Sequence, residues 1–209
     1  CVVFTTGYQA NLGVLSALMN KGTMAVMDKA DHASIYDGMR LAKGDSVGFK
    51  HNDMNDLDRV LDEIDPETGK LIIVDGVFSM EGDITRLDEV QKLAAKYEAR
   101  LAIDDAHSLG VLGRGGRGTA DHFHLTDKVD LIIGTFSKTL ASIGGYVVGD
   151  HKVIDFIKHF GDVFEILPLD THNGDITNMK SMDEFIKNNR PDLILNFAAY
   201  TNVDEAEDM

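Results

Sequence analysis

Lysine, histidine and aspartate side chains follow short apolar runs in this chain, and their order fits amine chemistry assisted by a carboxylate and an imidazole. Thr135-Phe136-Ser137-Lys138 comes straight after the run Leu131–Gly134 and precedes a glycine-rich reversal, Gly144-Gly145-Tyr146. Asp104 and His107 share one short loop in an Asp-x-x-His spacing, so a carboxylate and an imidazole can serve a single ligand. Asp75 ends another apolar run, with Ser79 just beyond it. Upstream, Thr6-Gly7-Tyr8-Gln9-Ala10-Asn11 reads as a turn entering a helix, where free N–H groups can hold a phosphate. Taken singly, a strand-end aspartate is usually a cap and a lysine after a strand is usually solvated. Polar groups at several strand ends together point to a site, because ligands of open α/β sheets collect at the carboxyl ends of the strands.

Two other patterns carry no chemistry. Gly113, Gly115 and Gly118 satisfy G-x-G-x-x-G, but no strand-to-helix transition surrounds them. His122 and His124 alternate in a loop without a third ligand, so no metal site is expected.

The elements that must position these residues are legible from periodicity. Met24–Asp28, Leu71–Asp75, Leu101–Asp104 and Leu131–Gly134 are continuous apolar runs of the kind that forms strands buried on both faces. Between them lie helical stripes: Leu12, Leu15, Leu18 and Met19; Leu57, Val60, Leu61 and Ile64; Leu87, Val90, Leu93 and Tyr97. This alternation predicts an α/β fold with a mostly parallel sheet and helices on both faces. A further helix is predicted over His151–Phe160, with Val153, Ile154, Ile157 and Phe160 inward. Beyond it, Val163–Leu167 and Leu193–Phe197 read as strands. Ser181 with Glu184 reads as a capping-box helix start, in a helix stopped before Pro191.

Composition narrows the function classes. A formal charge of −15 excludes a nucleic-acid binder, which needs clustered Lys and Arg. No apolar run approaches the roughly 20 residues that span a bilayer, and nothing in the given residues reads as a signal peptide. The single cysteine fits a reducing compartment, so the expected location is the cytoplasm. Charge is uneven: 11 of the 35 acidic and only 3 of the 20 basic residues lie from Gly161 onward. The strand-like start at Cys1 and the end at Met209, just inside a new helical pattern, predict an internal fragment.

Five ordered motifs, TTGYQANLG, DHASIYDG, VDGVFSMEGD, IDDAHSLGVLGRGGRG and GTFSKTLASIGGYVVG, closely resemble the α-oxoamine synthase family of pyridoxal 5'-phosphate (PLP) enzymes of fold type I. The resemblance covers about residues 1–158 and leans toward its serine palmitoyltransferase branch. It implies condensation of an amino acid with an acyl-CoA, usually with loss of CO2, in a homodimer. Lys138 would be the Schiff-base lysine, which requires a neutral amine. Asp104 would pair with the pyridine nitrogen, His107 with the phenolic oxygen, and His32 would stack on the ring face. Gly7, Tyr8 and Thr135 would contact the phosphate, and Ser79 would lie near the ring oxygen.

From about residue 159 the sequence instead resembles the Rossmann region of dTDP-4-dehydrorhamnose reductases, on DIT and NFAAYTNVDEAE. That resemblance implies NAD(P)-groove positions at Asp175, Ile176, Ala198, Ala199 and Tyr200. The glycine-rich phosphate turn is missing, and Tyr200 has Asp204, not lysine, four residues on, so NAD(P) binding and reductase activity are not expected. The sequence therefore reads as a chimera, 1–158 and 159–209. The first part is expected to bind PLP, weakly, without completing turnover; the alternative is a folded but inert α/β scaffold.

Overall fold

The computed structural model describes residues 1–161 together with Lys187 and Asn188. The strands expected at 163–167 and 193–197, and Asp175, Ile176, Ala198, Ala199 and Tyr200, lie outside the described residues; of the helix expected between the strands only Lys187 and Asn188 are described, and both are helical.

Strands β1 (Val2–Phe4), β2 (Thr23–Asp28), β3 (Asp45–Phe49), β4 (Gly69–Asp75), β5 (Arg100–Asp104), β6 (Leu131–Thr135) and β7 (Gly145–Gly149) build a seven-stranded sheet in the order β1-β7-β6-β5-β4-β2-β3. Pairings from β6 through β5, β4 and β2 to β3 are all parallel. Only β7 runs antiparallel to its neighbours β6 and β1. The expected mostly parallel α/β fold is thus present.

The central strands alternate their side chains between two apolar layers, which is the period-two geometry of a strand buried on both faces. Leu71 and Ile73 of β4 face a core that includes α1 (Gly7–Leu18), α2 (Ala33–Leu41) and α6 (His151–Phe160). Ile72 and Val74 face the opposite core, with α3 (Met54–Asp62), α4 (Leu87–Lys96) and the short α5 (Thr119–His122). Parallel order fixes the function of the edge: β2, β4, β5 and β6 all end on the same side, carrying Asp28, Asp75, Asp104 and Thr135 there.

Two helical stripes differ from expectation. In α1 the buried residues are Ala10, Asn11, Gly13, Val14, Leu15 and Ala17, while Leu12 and Leu18 are half-buried. The helix is packed against β1, α2 and α6 as well as the central strands, so small residues make its closest contacts. In α6, Ile154 and Ile157 are buried, but Phe160 is 67% exposed and leans on Phe156 at 4.5 Å between ring centroids. It is the last residue of its helix, past the end of the surface the helix packs on.

The β5–α5 connection is held by one buried carboxylate. Asp105 accepts from Ser108 Oγ at 2.5 Å and from the Thr119 amide at 3.1 Å. Gly118 sits against it at φ +98°, and a Cβ there would lie 2.0 Å from Asp105 Oδ2. Left-handed backbone and steric overlap therefore act together. Gly118→Ala is expected to destabilise the fold by roughly 2–3 kcal/mol, read as a lower urea midpoint at unchanged slope. An unchanged midpoint would contradict this packing.

Candidate cofactor site

A cavity of about 220 Å³ opens at the carboxyl edge of the sheet. The start of α1 contributes Thr6, Gly7, Tyr8 and Asn11, and the start of α2 contributes His32 and Ser34. Strand ends supply Asp75, Asp104 and Thr135; the loops beyond β5 and β6 supply His107, Ser137 and Lys138. Gly7, Tyr8, His32, Asp104, His107, Thr135 and Lys138, all expected from the sequence, therefore meet in one place. Ser79 does not line the cavity; it is exposed at the tip of a hairpin after β4.

Asn11 ties the site together. Its Nδ2 donates to Asp104 Oδ2 at 2.7 Å and to Ser34 Oγ at 2.8 Å. Ser34 Oγ, having accepted from Asn11, has its own proton for His32 Nδ1, 2.8 Å away. The Ser34 amide also approaches Nδ1, at 3.3 Å, and an amide can only donate. Nδ1 is thus the acceptor, and the neutral His32 ring carries its proton on Nε2. The other Asp104 oxygen accepts from the Ala106 amide at 2.9 Å, so this carboxylate is oriented from two sides.

The helix end is built for an anion. Thr6 caps α1 by accepting from the Gln9 amide at 3.0 Å, which leaves the amides of Gly7 and Tyr8 without intrahelical acceptors. Gly7 lies so close to β6 that a Cβ would come within 2.7 Å of Thr135 Cβ. Thr135 Oγ1 donates to the Gly144 carbonyl at 2.9 Å, so its proton is spent inside the protein. Ser137 Oγ, 2.8 Å from Thr135 Oγ1, therefore donates to it, so the Gly7 and Tyr8 amides are the donors left for an anion. Tyr8 is steered by a hydrogen bond from its hydroxyl to Asp37 of α2.

Asn11, Ser34 and Ser137 were not among the residues singled out from the sequence for the site, and Asp75 was placed at its edge without a role. The available signal for Asn11 was a polar residue on the core-facing side of a helix. Ser34 and Ser137 flank residues that were picked, and Asp75 was visible only as a strand end.

The electrostatics follow from packing carboxyls at the edge. Burial, then the neighbouring Asp104 charge, raise the Asp75 pKa to about 8, and its Oδ1 is shielded without a partner. Asp31 accepts backbone amides of Asp28 and Asp75 at 2.8 and 2.9 Å, tying β2 to β4, yet burial and Asp75 push its carboxyl well above the usual range. His107 goes the other way: burial, then the Lys138 charge, lower its pKa, keeping the ring neutral near pH 7. Among the described residues no hydrogen bond or ion pair holds the Lys138 amine.

Residues 1–172 match the family described as aminotransferase class I and II. The chain belongs to that family. Residues 155–209 match a second one, described as RmlD substrate binding domain. A serine palmitoyltransferase of Sphingobacterium spiritivorum is 56% identical over 158 residues, 76% of this chain and 40% of that protein. An 8-amino-7-oxononanoate synthase of Thermoanaerobacter pseudethanolicus is 50% identical over 164 residues, 78% of this chain and 42% of that protein. The chain thus spans about two fifths of the length of the curated relatives it matches. Among solved structures, a serine palmitoyltransferase from S. paucimobilis with a bound PLP–myriocin aldimine superposes with a TM-score of 0.76 at 39% identity, over 78% of this chain and 42% of that one. Another, with a PLP internal aldimine, gives 0.74 at 41% identity, over 77% and 40%. In this aminotransferase class I and II chain, as in those structures, the sheet is the α/β sheet of type I PLP-transferases.

The opposed charges give a direct check. His107 is expected to titrate below the ordinary histidine value of about 6.5, and Lys138→Met should move its pKa upward by removing the adjacent cation. Histidine NMR titration reads both; a pKa that stays put or falls in the variant would contradict the arrangement.

Proposed function

We propose that residues 1–158 bind PLP through Lys138 and form part of an α-oxoamine synthase, an enzyme class that joins an amino acid to an acyl-CoA. The observation carrying this reading is the convergence of the Lys138 amine, the Asp104 carboxylate and the His32 and His107 imidazoles on one cavity beside the N-terminus of α1, whose Gly7 and Tyr8 amides have no intrahelical acceptor. The donor set fits the group. Free amides at Gly7 and Tyr8 suit a phosphate; Asp104, held by Asn11 and the Ala106 amide, suits a ring N–H. Bound PLP supplies an electron-accepting ring that makes bonds at an amino acid's Cα labile.

Each side chain then has a task. Lys138 brings an amine with no competing partner to the cavity wall. Asp104 would pair its carboxylate with the ring nitrogen. Neutral His107 donates a proton to an oxygen acceptor without adding a second cation beside Lys138. His32 offers a ring face whose orientation is set through Ser34 and Asn11.

The substrate pair, amino acid and acyl-CoA, follows from the relatives' chemistry, with serine palmitoyltransferase as the preferred branch. From these 209 residues alone, which span about two fifths of such relatives, we expect cofactor binding but no net acyl transfer. We further propose a second copy of the chain as partner: Met80, Val111, Leu140 and Ile143 are exposed on the loops that follow β4, β5 and β6 and offer apolar surface for it. The match of residues 155–209 supports reading the sequence as two families joined near residue 158. No dinucleotide role is proposed for the second.

Adding PLP to the purified chain is expected to produce a visible absorption band that borohydride abolishes and that is absent in Lys138→Ala. An equal band in that variant, or none in the parent chain, would favour the inert scaffold.

A further inference from the structure

The hairpin that follows β4 begins at Gly76, directly after cavity-lining Asp75, and is closed by backbone bonds from Phe78 to Asp83 at 3.0 Å and from Thr85 to Gly76 at 3.1 Å. Across it lies a polar knot that the cavity chemistry does not use. His51, in the loop after β3, points Nδ1 at Asp28 Oδ1, 2.9 Å away, and Nε2 at Asp83 Oδ2, 3.1 Å away. Its neighbour Asn52, at φ +50°, donates its amide to Asp28 Oδ2 at 2.7 Å. The Asn52 side chain donates to Asp83 Oδ2 at 2.9 Å and to the Ile84 carbonyl at 3.0 Å, and accepts from the Arg86 amide at 3.2 Å. The Phe78 ring packs edge-on against the imidazole at 4.5 Å.

A carboxylate cannot donate, so both ring nitrogens have to, and a neutral imidazole has only one N–H. We propose that His51 is a positioning residue that acts as an imidazolium latch, fastening the Gly76–Thr85 hairpin to the end of β2 and thereby fixing the chain's exit from Asp75. The titratable groups facing the ring are Asp28, from β2, and Asp83, from the hairpin; Lys50 and Asp53 flank it on its own loop. Burial opposes the charge, but bonding and attraction from Asp28 and then Asp83 outweigh it and raise the ring's pKa.

The sign follows. A histidine whose pKa is higher folded than unfolded contributes its full stability below the ordinary value near 6.5, and loses it as pH rises through the folded pKa. One arm of the latch is then lost, since Asp28 or Asp83 faces a lone pair. The inference does not depend on PLP binding, because its readout is made on the cofactor-free chain.

Amide hydrogen exchange, corrected for intrinsic rate, should show protection of the Phe78, Gly82 and Thr85 amides falling roughly three- to tenfold as pH rises through the His51 titration followed by NMR. Amides in β5 should not follow that curve. Asp83→Asn, which keeps an acceptor and removes a charge, should move the His51 pKa and the protection midpoint down together. Protection flat across the titration, a His51 ring titrating at or below about 6.5, or an Asp83→Asn midpoint that does not move would each overturn the latch.

Discussion

Burial of acidic side chains along one edge of the sheet is the constraint around which the rest is arranged. Asp28, Asp75 and Asp104 end strands β2, β4 and β5, and Asp31 and Asp105 follow within three residues; all five are buried. Desolvated carboxyls repel one another and lose hydration, so each needs donors or a proton. Backbone amides serve Asp31 and Asp105, the Asn11 amide serves Asp104, and His51 and Asn52 serve Asp28. Asp75 is left with an unpartnered oxygen and a pKa near 8, beside the Lys138 amine, which is unpaired among the described residues. Negative charge is thereby concentrated where a cationic or N–H-bearing ligand can relieve it.

Parallel topology is what brings these groups together. Because β2, β4, β5 and β6 run the same way, every strand end falls on one side, and α1 presents its N-terminus there as well. A single edge thus offers carboxylates, an amine, imidazoles and free amides within one cavity. An antiparallel arrangement of the same strands would send alternate ends to opposite sides and split this set.

Much of this was readable in the chain. Fully buried strands show up as unbroken apolar runs, and their terminal aspartates and the downstream Lys138 and His107 stood out by order. Elements whose burial is partial were harder. Edge strand β3 begins with exposed Asp45 and Ser46, so it lacks a continuous run, and α2 takes an N-cap from His32, outside the usual capping set. In α1 only Leu15 of the three leucines is fully buried; Leu12 and Leu18 are not, whereas alanine, valine and asparagine are, since neighbours crowd the helix on more than one side. Periodicity cannot reveal that crowding, nor that Asn11 reaches a residue 93 positions away. Ser79, picked by motif position, sits on a hairpin that is contacted by His51 and Asn52 of the loop after β3.

The central claim is that Lys138 is the amine this cavity reserves for PLP. Site mapping tests it most directly: incubate the intact chain with limiting PLP, reduce with borohydride, digest, and locate the pyridoxyl adduct by peptide mass spectrometry. The account predicts modification concentrated on Lys138 while exposed lysines such as Lys92 and Lys96 stay largely unmodified. Adduct spread across surface lysines with no preference for Lys138 would contradict it.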